Sequence, residues 1–242
     1  YSRHRGQVLM LKASISALLG QVLFSQLFHS QSRRRQKMEY RAAGSRCAVV
    51  LEYLRLPTPR EETLAILNRK GFSVVEVNIV ALARHCIGIS QYRRGARPSE
   101  APMVVDCSSF AKWLYAERGI WLPRRAIQQR ELGEVINFDE LVAGDLVFVS
   151  GWIDYYHGDP MNGVGHVGIA TGDGTVIHAA SRRANVVESP IDKFVGKTKF
   201  RGARRYIPKG VEVLTLETPT DREVEIADDI RWIVLQSLPR RR

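Results

Sequence analysis

Two histidines that flank a tight turn constrain this chain more than any other feature. Residues 166–171 (His-Val-Gly-Ile-Ala-Thr) and 175–180 (Thr-Val-Ile-His-Ala-Ala) read as strands, and Gly172-Asp173-Gly174 between them is a strong hairpin signal. Side chains alternate between the faces of a strand, so loop length decides how His166 and His178 stand to each other. A two-residue loop would send them to opposite faces. A three-residue loop sets Thr171 against Thr175 and His178 against Gly168, and the two rings become diagonal neighbours on one face. The three-residue loop is expected, with Gly174 as the left-handed bulge residue. Gly168, which lacks a side chain, leaves room for the diagonal contact.

Further short strands are expected at residues 145–149, 185–188 and 201–207, bounded by Gly, Asp, Asn and Pro. Helices come before them. Thr58-Pro59-Arg60-Glu61 has the spacing of a capping box with proline in the first turn, and predicts a helix that runs to about Lys70 and stops at Gly71. A second helix is expected over residues 77–86, with Val80, Ala81, Ala83 and Cys86 on its apolar face, and a third from Cys107 to about Arg118. Helices followed by an antiparallel run of strands predict an α+β fold, the N-terminal helices packed on the sheet. Residues 151–165 form an insertion rich in Gly, Asp, Tyr and Trp, expected to be one wall of a cleft. The expected organisation is a basic arm (residues 1–46), a short strand and helix extension (47–76), a main domain (77–207) and a C-terminal extension with a helix (208–242).

Charge narrows the partners. The formal net charge is +11, which by itself would suit a polyanion. Residues 1–46 hold nine Lys or Arg against one acid, however, whereas residues 77–207 hold seventeen against thirteen. Most of the excess is therefore an arm, and no nucleic-acid partner is expected. Residues 7–28 are fairly apolar, but Lys12 and several Gln and Ser interrupt them, so no membrane span and no clear signal peptide are expected.

The three cysteines, Cys47, Cys86 and Cys107, form no CxxC pair and no disulfide framework. Cys47 and Cys86 read as core residues. Cys107 follows Asp106 at the start of a helix, where unpaired N–H groups and the positive dipole end favour a thiolate. With His166 as base and His178 orienting it, the three residues make the nucleophile, base and orienting group of an acyl-transfer site. His157 is a weak alternative base. One cysteine and two histidines are a poor zinc set, so no metal and no cofactor are called for.

These residues, in this order, resemble the NlpC-type cell-wall cysteine peptidases, which have a papain-like fold. The resemblance runs over residues 77–207: Ala83-Arg84-His85-Cys86 with Tyr92, Asp106-Cys107-Ser108, Leu122-Pro123-Arg124, Gln129, Gly144-Asp145, His166-Val167-Gly168 and His178. It implies Cys107 as nucleophile, His166 as base and His178 as orienting residue. Tyr92 would help the oxyanion site beside the backbone N–H of Cys107, and Asp106 and Ser108 would help hold the free amino end of a stem peptide. The implied reaction is hydrolysis of a peptidoglycan stem peptide between D-γ-glutamyl and the diamino acid. The implied location is the periplasm, the wall or the cell exterior. Three departures fall where the peptide would lie: Ser109 where members have glycine, Arg93-Arg94 where they have Trp-Gly, and the insertion at residues 151–165, longer than is common among members. An amidase or acyltransferase would use the same triad, and a catalytically silent wall-binding or phage structural module would keep only the fold.

Overall fold

The computed structural model describes residues 39–239, so the apolar segment 7–28 and most of the basic arm lie outside the described residues. The chain opens with β1 (Arg46–Val49), α1 (Arg60–Arg69), β2 (Ser73–Val75) and α2 (Ile79–His85). It continues through β3 (Gln91–Tyr92), β4 (Val104–Val105), α3 (Cys107–Glu117) and α4 (Ala126–Arg130). The strand-rich half holds β5 (Glu134–Ile136), β6 (Leu146–Val149), β7 (His166–Ala170), β8 (Thr175–Ser181) and β9 (Asn185–Pro190). After it come α5 (Ile191–Val195), β10 (Phe200–Arg205), β11 (Leu214–Glu217) and α6 (Ala227–Gln236).

The central sheet has six strands in the order β5-β10-β6-β7-β8-β9, every pair antiparallel. Helix α3 lies across β7 and β8, with α2 beside it, which is the expected α+β arrangement. The buried face of α3 carries Phe110, Ala111, Leu114 and Tyr115. Each of its large apolar side chains contributes about 1.5–3 kcal/mol by leaving water. The sheet is cross-braced inside: Arg205 on β10 donates from Nε and Nη2 to the two carboxylate oxygens of Asp145 at 2.9 and 2.7 Å. Both residues are buried.

The hairpin has the register that the histidines need. Ile169 faces Ile177, Ala170 faces Val176, and the N–H of Thr171 donates to the carbonyl of Thr175 at 3.1 Å. The loop is therefore Gly172-Asp173-Gly174. Gly174 is left-handed as expected (φ +85°), and so is Gly172 (φ +90°), whose missing Cβ would sit 3.0 Å from the backbone nitrogen of Ala143.

The two segments that flank the six-stranded sheet fold together. β11, which follows the strands of the central sheet, is the middle strand of a separate sheet, β1-β11-β2. Residues from α1 and α6 close over it, and Cys47, Ile66, Phe72, Leu216, Ile230 and Val234 form a common core. This small layer is tied to the rest of the chain by bonds to main-chain carbonyls: the N–H of Ala48 donates to the carbonyl of Gly119 at 2.8 Å, and the Tyr40 hydroxyl donates to the carbonyl of Tyr206 at 2.8 Å.

The capping box expected at Thr58 does not form. Helix α1 begins after Pro59 with no side-chain cap, and the Thr58 hydroxyl pairs with that of Thr63 at 2.9 Å instead. Helix α2 starts two residues later than expected because Asn78 caps it, its side chain accepting from the N–H of Ala81 at 3.0 Å.

Candidate active site

Asp106 and Cys107 meet at the start of α3. Asp106 is its N-cap, with Oδ1 accepting from the N–H of Ser109 at 2.8 Å. The Ser109 hydroxyl in turn accepts from the N–H of Asp106 at 2.8 Å, so the serine found in place of glycine completes a reciprocal cap. This fixes Cys107 as the first residue of the helix. Its side chain is partly exposed and faces β7, close enough to accept from the N–H of Val167.

Across the cleft, Nε2 of His166 lies 2.8 Å from Nδ1 of His178. This is the diagonal contact that a three-residue hairpin loop allows. Gly168 is what keeps it open, since a Cβ there would lie 2.3 Å from Cγ1 of Val176 and 3.2 Å from Cβ of His178. With its Nε2 engaged, His166 has Nδ1 left for a proton acceptor's role. Two further residues were not anticipated. Phe194 of α5 packs on both imidazoles, with ring centroids 5.5 Å from His166 and 4.8 Å from His178. Ser189 of β9 places Oγ 3.1 Å from Nε2 of His178. Ser189 had no sequence signal beyond its place before Pro190, and Phe194 had none.

The electrostatics oppose early ionisation. Burial, reinforced by the neighbouring His178, pushes His166 down to about 3, and burial pushes His178 down to about 4. Burial and then the Asp106 charge push the Cys107 thiol up to about 11, against the N–H groups of Val167 and Ser108 that favour the thiolate. The acidified thiol expected of a helix N-terminus is therefore not what the site provides. The carboxylate that caps the helix sits beside the sulfur and works against the dipole. Burial thus favours the uncharged form of both the thiol and the imidazole.

Tyr92, Asp106, Ser108, Cys107, His166 and His178 all line one open cleft of about 1190 Å³. The hydroxyl of Tyr92 is raised by burial first and by the nearby Cys107 next, which places the two groups together. Asp106 and Ser108, expected to hold a substrate's amino end, are already engaged by the protein. Burial resists the charge of Asp106, yet hydrogen bonds from Arg124 and Ser109 outweigh it and hold the carboxyl below its usual range. Arg124 reaches Oδ2 at 2.5 Å and Oδ1 at 3.1 Å, the N–H of Gly95 reaches Oδ2 at 3.0 Å, and the Ser108 hydroxyl donates to Oδ1 at 3.2 Å. Arg124 also donates to Ser108 Oγ at 2.9 Å. A carboxylate offers about four lone-pair positions, and these are filled.

The insertion supplies the expected wall through Trp152, Ile153 and Tyr155. Asp154 pins its start by accepting from the N–H of Gly151 at 2.7 Å, and buried Arg130 holds its end by donating to Asn162 at 2.9 Å. His157, the alternative base, faces Glu131 at 3.3 Å on the exposed side of the insertion and does not line the cleft. Among the described residues no three His, Cys, Asp or Glu side chains converge as a metal set would, and no helix is long and apolar enough to cross a membrane.

Comparison with known proteins bears on this geometry. Residues 90–205, which carry every member of the site, match the NlpC/P60 family. The chain is 32% identical over 142 residues to the gamma-DL-glutamyl hydrolase of Bacillus subtilis (strain 168), covering 57% of this chain and 32% of that protein. It is 32% identical over 103 residues to the gamma-D-glutamyl-L-lysine dipeptidyl-peptidase of Bacillus cereus (strain ATCC 10987), covering 43% of this chain and 29% of that protein. These two relatives are thus much longer than the matched region, and the chain spans only about a third of each. It is 31% identical over 138 residues to the "Probable endopeptidase NlpC homolog" of Haemophilus influenzae (strain ATCC 51907), covering 57% of this chain and 67% of that protein. The match takes in cap, cleft and hairpin together and spans two thirds of a whole relative, and on that ground the chain belongs to the NlpC/P60 family.

Proposed function

We propose that the chain is a cysteine peptidase that hydrolyses an amide bond in peptidoglycan stem peptides, of the D-γ-glutamyl–diamino acid type. Cys107 is the nucleophile, His166 the base and His178 the orienting residue. The observation that carries the reading is the 2.8 Å bond between His166 Nε2 and His178 Nδ1, in the same cleft as a thiol at a helix tip. The names of relatives that act on γ-glutamyl bonds support the substrate class.

The steps follow from a neutral resting pair. As the sulfur attacks the amide carbon, its proton moves to Nδ1 of His166, and His178 accepts the Nε2–H of the imidazolium that forms. The oxyanion is met by the N–H of Cys107 and by the Tyr92 hydroxyl. His166 then hands its proton to the leaving amine, the C–N bond breaks, and a thioester remains. Water, deprotonated by the same imidazole, hydrolyses the thioester and restores the thiol. Asp106, Ser108 and Arg124 act by holding the start of α3; the saturated hydrogen bonding of Asp106 makes it the weakest part of any amino-end subsite.

We assign catalysis to residues 77–207, with residues 47–76 and 208–242 as a flanking layer and residues 1–46 as a basic arm. The substrate requires export to the periplasm, the wall or the cell exterior. The test is mass spectrometry of products from purified peptidoglycan, with the native chain and with Cys107→Ala. Fragments ending in a new D-γ-glutamyl carboxyl, matched by a free amine on the diamino acid and lost with the variant, are expected. Absence of such fragments with the native chain, or their persistence with Cys107→Ala, would refute the reading.

A further inference from the structure

The charge of the catalytic region is distributed unevenly. Of the seventeen Lys and Arg between residues 77 and 207, six line the cleft: Arg94, Arg124, Arg125, Arg182, Lys193 and Lys199. Of the thirteen acids, one does, Asp106. The rest of the region carries eleven bases and twelve acids, so its whole positive excess faces the cleft. Asp106 is taken up by Arg124. The ion pairs among the described residues include none of the other five cations.

These five come from separate elements and gather at different places. Arg94 and Arg182 belong to segments joined by the bond from the Tyr92 N–H to Asn185 Oδ1 at 2.9 Å. Arg125 lies over the ring of Tyr155 on the insertion wall, 5.1 Å from its centroid. Lys199 is held beside that wall by the bond from the Ser150 N–H to its carbonyl at 2.8 Å. Lys193 adjoins Phe194, the residue that packs on both imidazoles. A concave surface lined by one sign of charge focuses the field and draws the opposite sign into it.

We propose that this cleft selects γ-glutamyl peptides whose glutamate α-carboxylate is free and rejects those in which it is amidated. The inference rests on the peptidase reading and narrows its substrate. A carboxamide keeps the shape of the peptide but cannot neutralise an unpaired guanidinium or ammonium, so the discrimination is electrostatic and is screened by salt. Wall stem peptides and γ-linked polyglutamate share this chemistry.

The test uses two labelled synthetic stem tetrapeptides that differ only in carboxylate or carboxamide on the γ-linked glutamate, and a γ-linked oligoglutamate. Binding to Cys107→Ala is measured by fluorescence anisotropy, and kcat/KM is measured with the native chain. At low salt the carboxylate peptide is expected to bind roughly 10-fold more tightly than its amide. That ratio is expected to shrink toward one near 0.5 M salt, where the Debye length falls to about 4 Å. Exposed Arg94→Gln with Lys199→Gln is expected to bring the ratio to within about 2-fold. Equal affinities for the two peptides, or a preference untouched by salt and by the double variant, would overturn the inference. If a carboxylate preference appears but only the oligoglutamate is cut, this inference stands and the stem-peptide reading falls. If both stem peptides are cut alike, the reverse holds.

Discussion

Nε2 of His178 lies 3.1 Å from Oγ of Ser189, so the imidazole relay ends on a hydroxyl. Ser189 stands diagonally from His178 across β8 and β9, as His178 stands diagonally from His166 across β7 and β8. The same step is repeated one strand over. If Ser189 accepts the Nε2–H of His178, Nδ1 of His178 is left as an acceptor, which in turn fixes the proton of His166 on Nε2 and its lone pair on Nδ1. Ser189→Ala should release the tautomer of His178. A net hydrogen bond of about 0.5–1.5 kcal/mol corresponds to a fall in kcat of roughly 2- to 13-fold, with KM unchanged. Ser189→Thr should restore most of it. A kcat for Ser189→Ala equal to that of the native chain would show that the hydroxyl does not act on the relay.

The neutral resting pair has a kinetic signature. His166, pushed down to about 3, is already a free base throughout the neutral range. Activity should therefore stay level from pH 8 to about 5, without the limb near 6.5 that an ordinary histidine gives. Cys107, pushed up to about 11, should be alkylated by iodoacetamide slowly at neutral pH, at a rate that climbs steadily into the alkaline range. An alkylation profile that is flat above pH 6 would mean a thiolate–imidazolium pair at rest.

Acid should unfold the protein through the same two rings. Both are held below their ordinary value of 6.5, at about 3 and about 4. The unfolded chain thus binds protons that the native state refuses, so stability is complete above about pH 6.5 and falls as pH drops toward 4 and 3. Each ring contributes at most about 1.4 kcal/mol per pH unit in that window. Urea midpoints measured from pH 7 to 4 should decline in the native chain. His178→Asn should flatten part of the slope, and an unchanged slope would exclude the ring as its source.

The hairpin was legible in the sequence because strand alternation and loop length leave few registers, and one of them alone joins His166 to His178. The helix start at Cys107 was legible too, but the reciprocal cap that Asp106 and Ser109 make there was not read. What sequence could not show depended on contacts between distant segments. Ser189 and Phe194 enter the site only once β9 and α5 fold beside β8. The pairing of β1 with β11 joins residues about 170 positions apart, with nothing local to announce it. The thiol's environment was misjudged because the helix dipole was weighed without the Asp106 charge beside it and without burial. At Thr58 a sound local signal lost to a neighbour, since Thr63 offered its hydroxyl.

The flanking layer meets the catalytic half at Gly119, and that junction can be tested. Strand β1 runs so close that a Cβ at Gly119 would lie 2.6 Å from the carbonyl carbon of Cys47 and 2.6 Å from the nitrogen of Ala48. Both are backbone atoms and cannot rotate away. The residue is also left-handed (φ +76°), which costs an L-residue roughly 1–2 kcal/mol. Adding an overpacking term of about 1–3 kcal/mol, Gly119→Ala should destabilise the chain by roughly 2–5 kcal/mol in urea unfolding. Its loss should come with weaker pairing of β1 to β11, read as faster amide exchange at Cys47 and Leu216, which face each other in that ladder. The cleft lies elsewhere, so kcat per folded molecule should hold. Destabilisation below about 0.5 kcal/mol would mean that β1 does not seat on this glycine.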